Sequence, residues 1–227
     1  DVQIVPMEGI AMTADRPGLH RLLESYWDSG KSVRGEIRER IWTDFGGRGA
    51  VLITDMSRFS RVTRDMGIVH YLAMIRRMQR IMAPLVRSHG GRVVKFMADN
   101  CYSLFPDVPE ALEAALAMTS AAAAETPPGR GEPPLEICSG LDWGRVLLVC
   151  VGDPGGAVCD YFGDPVNVAS KLGEDLAGPG EVLVTRRALE RLPSDRRPAC
   201  AQRTFTISGL KISAVSIRGG GEGGQCE

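Results

Sequence analysis

Apolar positions along the chain follow two alternating periods. Over residues 18–41, Leu19, Leu22, Leu23, Tyr26 and Trp27 recur at helical spacing and predict a helix, weakened in its middle by Gly30 and Gly35. Gly46, Gly47 and Gly49 break the pattern and put a domain boundary near residue 48. Residues 50–55, AVLITD, read as a buried strand ending in an acid, and residues 56–60 as a turn. A second helical stretch, 66–88, carries Ile68, Tyr71, Leu72, Ile75, Met78, Met82 and Leu85 on its apolar side, with Pro84 expected to bend or end it. Residues 90–105, GGRVVKFMADNCYSLF, hold two apolar runs around Ala98, Asp99 and Asn100, a β-hairpin signal. Strand alternation places Val93, Lys95 and Met97 on one face and Val94 and Phe96 on the other.

Beyond the hairpin, residues 108–124 form an alanine-rich helix and 126–134 a Pro/Gly loop. Residues 135–141 and 145–151 read as two strands joined through Asp142, Trp143 and Gly144, and 152–156 as a turn. Residues 159–163 lead into a helix over 164–176. A strand (181–185), a short helix (186–192) and a strand pair (202–207 and 212–217) complete the pattern. Hairpins mixed with helical crossovers predict an α+β fold, helices packed on a mostly antiparallel sheet. The expected division is a helical lead-in over 1–47, one domain over 48–217 and a flexible tail over 218–227.

Composition narrows this picture. A chain of 227 residues suits one domain plus flanks. The net charge of −1 gives no support for a nucleic-acid surface. No apolar run approaches the ~20 residues of a membrane span, and no basic then apolar leader opens the chain. Its first residue, Asp1, predicts a piece of a longer protein. The six cysteines make no C-x-x-C pair, which predicts a reducing, cytoplasmic setting without disulfides or structural zinc. The three histidines are scattered, so a metal would be a hard ion held by carboxylates.

Several residues are candidates for chemistry. Asp55 ends a buried strand, where it is either a helix N-cap or a carboxylate beside a phosphate-cradling turn. Asp99 sits at the hairpin tip, either as a turn residue or as a second carboxylate converging on Asp55. Two such acids need a divalent ion or a shared proton. Lys95, in so apolar a strand, either guards a sheet edge or meets an anion. Lys95 and Asp160 together offer a donor and an acceptor that complement adenine's edge, whereas guanine presents the reverse. Asn167 and Lys171 fall four apart on one helix face, an arrangement also common on plain surfaces.

These stretches, VLITDMSRFSRVT, GGRVVKFMADNCYSLFPD, DYFGDPVNVASKL and GPGEVLVT, occur in an order that resembles the class III nucleotidyl cyclase catalytic domain. The resemblance covers about residues 48–217. It implies a βααββαβ core and a head-to-tail homodimer with active sites across the interface. It further implies conversion of ATP to cyclic AMP, with magnesium or manganese held by Asp55, Asp99 and the carbonyl of Met56. Ser57 and the turn through Phe59 would contact phosphates, Lys95 and Asp160 of the partner subunit would select adenine, and Asn167 would orient the ribose. Lys171 stands where the family usually has an arginine on the transition state. Lys211, or Leu210 beside it, falls where a lysine meets the terminal phosphates. The tip also departs from the family, with Ala98 and Asn100 around Asp99 where glycine is usual. A guanylate or pyrimidine cyclase, and a degenerate nucleotide-binding regulator, are the competing readings. An upstream regulatory domain or protein is expected.

Overall fold

The computed structural model describes residues 17–57, 59–125, 134–151, 158–207 and 209–218. All but the last residue of the expected loop over 126–134, the turn over 152–156 and the tail from 219 lie outside them. Two helices lead in, α1 (Pro17–Asp28) and α2 (Lys31–Phe45). They are followed by β1 (Gly46–Met56), α3 (Phe59–Met66), α4 (Ile68–Ser88), β2 (Arg92–Met97), β3 (Asn100–Phe105), α5 (Val108–Glu125) and β4 (Ile137–Val151). This is the βααββαβ order that the resemblance implies. The chain continues through β5 (Val158–Phe162), α6 (Asp164–Ser170), a π-helical segment (Lys171–Leu176), β6 (Glu181–Thr185), α7 (Arg186–Leu189), a 3₁₀ turn (Ser194–Arg196), β7 (Ala201–Ile207) and β8 (Leu210–Arg218).

The strands make one sheet in the order β2-β3-β1-β4-β6-β8-β7, with β5 paired to β4. Every pairing is antiparallel except β4 with β6. The expected α+β class, a mostly antiparallel sheet with helices on it, is the class found.

Period two along β1 divides the core. Ala50, Leu52 and Met56 join a large cluster with Met78 and Met82 of α4 and Ala111 and Ala115 of α5. Val51 and Ile53 face the other way, among Tyr102, Val146, Tyr161 and Ala169 of α6. Each buried Val, Leu, Ile or Met side chain among them contributes about 1.5–3 kcal/mol by leaving water. Asp55 continues the second set, so alternation delivers it to the face that α6 covers.

Five sequence expectations change. The helix over 18–41 is two helices, parted at Ser29 and Gly30, and Trp27 is 79% exposed rather than packed. The turn expected over 56–60 is shorter, because α3 begins at Phe59 and Gly67 parts it from α4, which keeps Pro84 inside it and ends at Ser88 as expected. The strands 135–141 and 145–151 are one strand, β4, whose Trp143 and Gly144 pair with Ala50 and Gly49. Asp142 does not turn the chain because its fully buried carboxylate finds partners across the fold, Arg187 and the Thr185 hydroxyl, besides the adjacent Trp143 amide. The helix over 164–176 widens into a π turn from Lys171.

Fifth, the hairpin does not alternate simply. Val93 pairs with Ser103 and Lys95 with Tyr102, so Val94 is an extra residue in a β-bulge. Val93 therefore packs with Phe96 on the large cluster, while Val94 joins the cluster of Tyr102. The bulge separates Val93 from Lys95 and turns Lys95 toward Tyr102.

Cysteine usage also differs from expectation: Cys200 is disulfide-bonded. Sequence spacing did not reveal it, because a bridge needs nearness in space rather than a motif. Cys101 and Cys138 are free and buried, and burial pushes the Cys101 thiol up to about 12.

Candidate active site

The site begins at the open end of β1. Asp55 is held near the strand's last residue and accepts a hydrogen bond from the Met56 amide. Asp99 reaches it from the β2–β3 turn. To form that turn Ala98 takes φ +50°, the one positive φ at a non-glycine residue among those described. Burial, then the charges of Asp99 and Glu174, push the Asp55 carboxyl from its ordinary 3.8 to about 7. No lysine or arginine among the described residues lies within ion-pair distance of Asp55 or Asp99. Asp99 instead accepts a short hydrogen bond from the hydroxyl of Tyr71, a buried residue of α4.

The oxygen-only character of this pair suits a hard divalent ion. The nearby Cys138 thiol does not compete. Burial pushes it up to about 11, and its sulfur lies 3.2 Å from the Gly173 carbonyl. Among the described residues no group of three or more acidic, histidine or cysteine side chains is arranged to enclose an ion. Asp55 and Asp99 would hold one only with oxygens from elsewhere, such as phosphates or a main-chain carbonyl.

The second cluster is Lys95 and Asp160, drawn from β2 and β5. Lys95 Nζ lies 2.7 Å from Asp160 Oδ2. The Asp160 Oδ1 accepts the Tyr161 amide at 2.8 Å. The ammonium also sits 4.6 Å from the centroid of the Tyr102 ring, and the Tyr102 hydroxyl donates to Glu174 Oε1 at 2.9 Å. Tyr102 thus stands between the two clusters.

The third element is α6 and its π extension. Asn167 is exposed, and its carbonyl accepts the Lys171 amide, so the two share a helical face. The segment lies close on the sheet because two glycines face each other. A Cβ on Gly140 would meet the Ala169 carbonyl oxygen at 2.2 Å, and one on Gly173 the Ile53 carbonyl oxygen at 2.7 Å. That approach brings Glu174 near Asp55.

Other expected residues lie apart. Ser57 follows β1, but its amide donates to the Glu136 carbonyl at 2.9 Å and its hydroxyl to Cys138 Sγ at 3.7 Å. Phe59 opens α3, whose first amides lack intrahelical partners. Lys211, near the start of β8, lines a cavity of about 340 Å³ with Asp164, Val168 and Arg187, away from both carboxylate clusters.

Residues 47–222 match the family described as the adenylate and guanylate cyclase catalytic domain. The chain belongs to that family. This cyclase domain is 34% identical over 67% of its length to a Rhizobium meliloti protein named "Putative adenylate cyclase 3". It spans only 23% of that relative, and 39% of an uncharacterized Mycobacterium tuberculosis protein that it matches at 28% identity over 72% of the chain. In fold it is similar to the guanylyl cyclase Cya2, with TM-score 0.66 and 21% identity, covering 77% of this chain and 94% of that one. It is equally similar to the adenylyl cyclase CyaB from P. aeruginosa, with TM-score 0.66 and 19% identity, covering 75% and 94%. No helix among the described residues of the cyclase domain is long and apolar enough to cross a membrane.

Sequence reasoning missed Tyr71, Tyr102 and Glu174. Tyr71 and Tyr102 read as core aromatics, which by their rings they are. Only their hydroxyls enter the site, and a binary pattern does not record hydroxyls. A buried tyrosine's need for a hydrogen-bond partner was the available signal.

Proposed function

We propose that this domain converts ATP to 3′,5′-cyclic AMP and pyrophosphate, in a homodimer whose sites lie between subunits. The observation that carries the reading is the Lys95–Asp160 pair at 2.7 Å, a donor beside an acceptor on the same face as Tyr102. Adenine's amino group and ring nitrogen complement that order, and guanine's carbonyl and ring N–H oppose it.

Asp55 and Asp99, with the Met56 carbonyl, would hold magnesium or manganese. When bound, these ions lower the pKa of the ribose 3′-hydroxyl and neutralise phosphate charge. The carboxylates act as ligands, and their present lack of cations supports that role. The first amides of α3, which opens at Phe59, receive phosphate oxygens, with the Ser57 hydroxyl beside them. From the partner subunit, which also supplies Lys95 and Asp160 to the base, Asn167 orients the ribose so that its 3′-oxygen faces the α-phosphate. Lys171 places positive charge where that phosphate gains negative charge, but without an arginine's planar fork. Lys211, which lines a separate cavity of its own subunit, would meet the terminal phosphates only from the partner subunit. The greater length of the relatives supports an upstream regulatory domain or protein acting through α1 and α2.

The test is incubation of the purified domain with manganese and each of ATP, GTP, CTP and UTP, followed by separation of products. Cyclic AMP from ATP, lost in Lys95→Ala, supports the reading. A different cyclic nucleotide refutes the base assignment, and no product at any enzyme concentration points to a nucleotide-binding regulator.

A further inference from the structure

We infer that Tyr102 is a positioning residue for base selection, holding the Lys95 ammonium on its ring face so that a single donor points toward the base. This rests on the reading of Lys95 and Asp160 as the base-recognising pair.

Tyr102 lies on β3, opposite Lys95 on one side and Ile53 on the other. Only 6% of it is exposed. The β-bulge at Val94 aims Lys95 at this ring, and the ammonium stands 4.6 Å from the centroid. The ring itself is fixed at two points. Tyr161 meets it edge to face, with centroids 6.4 Å apart and planes at 83°. At its far end the hydroxyl donates to Glu174 at 2.9 Å. Tyr161 also anchors the other half of the pair, since its amide donates to Asp160 Oδ1. One aromatic pair therefore supports both the donor and the acceptor.

The count of hydrogen-bonding directions gives the consequence. A lysine ammonium has three donors. One goes to Asp160 Oδ2, and the Tyr102 ring faces the ammonium from another side. What remains is one donor of the ammonium beside the free lone pairs of the Asp160 carboxylate, in fixed order, which is adenine's complement. A lysine stem freed from the ring can swing its ammonium away from Asp160 and offer donors to a carbonyl, as guanine requires. The ring thus acts on discrimination between bases more than on nucleotide affinity in general.

The experiment compares Tyr102→Met, which fills the volume without a ring face, with Tyr102→Phe, which keeps the ring and loses the hydroxyl. For each, kcat and KM are measured with ATP and with GTP, alongside thermal unfolding and binding of fluorescent ATP and GTP analogues. Tyr102→Met is expected to lower the ATP-over-GTP ratio of kcat/KM about tenfold, through the KM for ATP, which is about 1.4 kcal/mol. Tyr102→Phe is expected to keep the ratio within about twofold. A ratio unchanged in Tyr102→Met, with only the melting temperature lowered, makes Tyr102 a core residue and overturns the inference. An equal loss in Tyr102→Phe overturns it too, and decides the matter if Tyr102→Met does not fold. If turnover is absent, the ratio of analogue affinities is read in its place. A wild-type domain that prefers GTP sinks the adenine reading alone, because a preference moved by Tyr102→Met still assigns the ring its role.

Discussion

Acidic side chains occupy two kinds of setting in this domain. Asp142 and Glu181 are buried, and each is surrounded by donors. Asp142 has Arg187, the Thr185 hydroxyl and the Trp143 amide, while Glu181 has Arg203, Arg218, the Ser216 hydroxyl and the Gly178 amide. Asp55 and Asp99 meet each other and Glu174 with no cation among the described residues, only the Tyr71 hydroxyl and the Met56 amide. The first setting is electrically closed and serves the fold. The second is left short of positive charge, and that deficit is what motivates the metal-binding role proposed for it.

The comparison breaks most sharply under mutation. Asp55→Ala is expected to cut cyclase activity about a thousandfold, the worth of about 4 kcal/mol of transition-state stabilisation, while leaving unfolding by urea unchanged or shifted to higher urea. Asp142→Ala should do the reverse. It leaves Arg187 half-compensated and buried donors unpaired, and should cost about 3 kcal/mol of stability by urea titration, with activity per folded molecule retained. Equal effects on both readouts for the two variants would erase the distinction.

A pH series sharpens it. Because the Asp55 carboxyl is raised from 3.8 to about 7, the folded metal-free domain keeps a proton that the unfolded chain has already lost. Its stability should therefore fall as pH rises from about 4 to about 7, then level off. Melting curves at several pH values check this, and Asp55→Asn should flatten the slope.

Tyr71→Phe is next in size. Without its hydroxyl, Asp99 loses the contact that orients it, and the manganese concentration for half-maximal activity should rise about tenfold with kcat little changed. The smallest effect is Ala98→Gly. Relief of the +50° φ should stabilise the domain by about 0.5–1 kcal/mol, read as a small rise in melting temperature.

Much of this architecture was legible in the chain. The short apolar run AVLITD gave β1 and placed Asp55 at its end, and the glycine-flanked hairpin put Asp99 at a tip. What failed was local chemistry overruled from a distance. Asp142, Trp143 and Gly144 have turn composition, yet Arg187, 45 residues later, makes them mid-strand. Lys95 was assigned the face of Val93, because alternation assumes one residue per partner and a bulge breaks that count. Tyr102 and Glu174, which link the acid pair to the Lys95–Asp160 pair within one subunit, meet only because Gly140 and Gly173 let a π turn lie on the sheet. Neither glycine announces that approach in sequence.

The central claim is that the uncompensated acids Asp55 and Asp99 form a receptor for a divalent ion and its nucleotide. The most direct measurement is thermal unfolding of the purified domain with manganese and a non-cyclisable ATP analogue, in wild type and in Asp55→Asn. The account predicts that the two together raise the melting temperature of the wild type and leave Asp55→Asn unmoved. An equal rise in both proteins would contradict it.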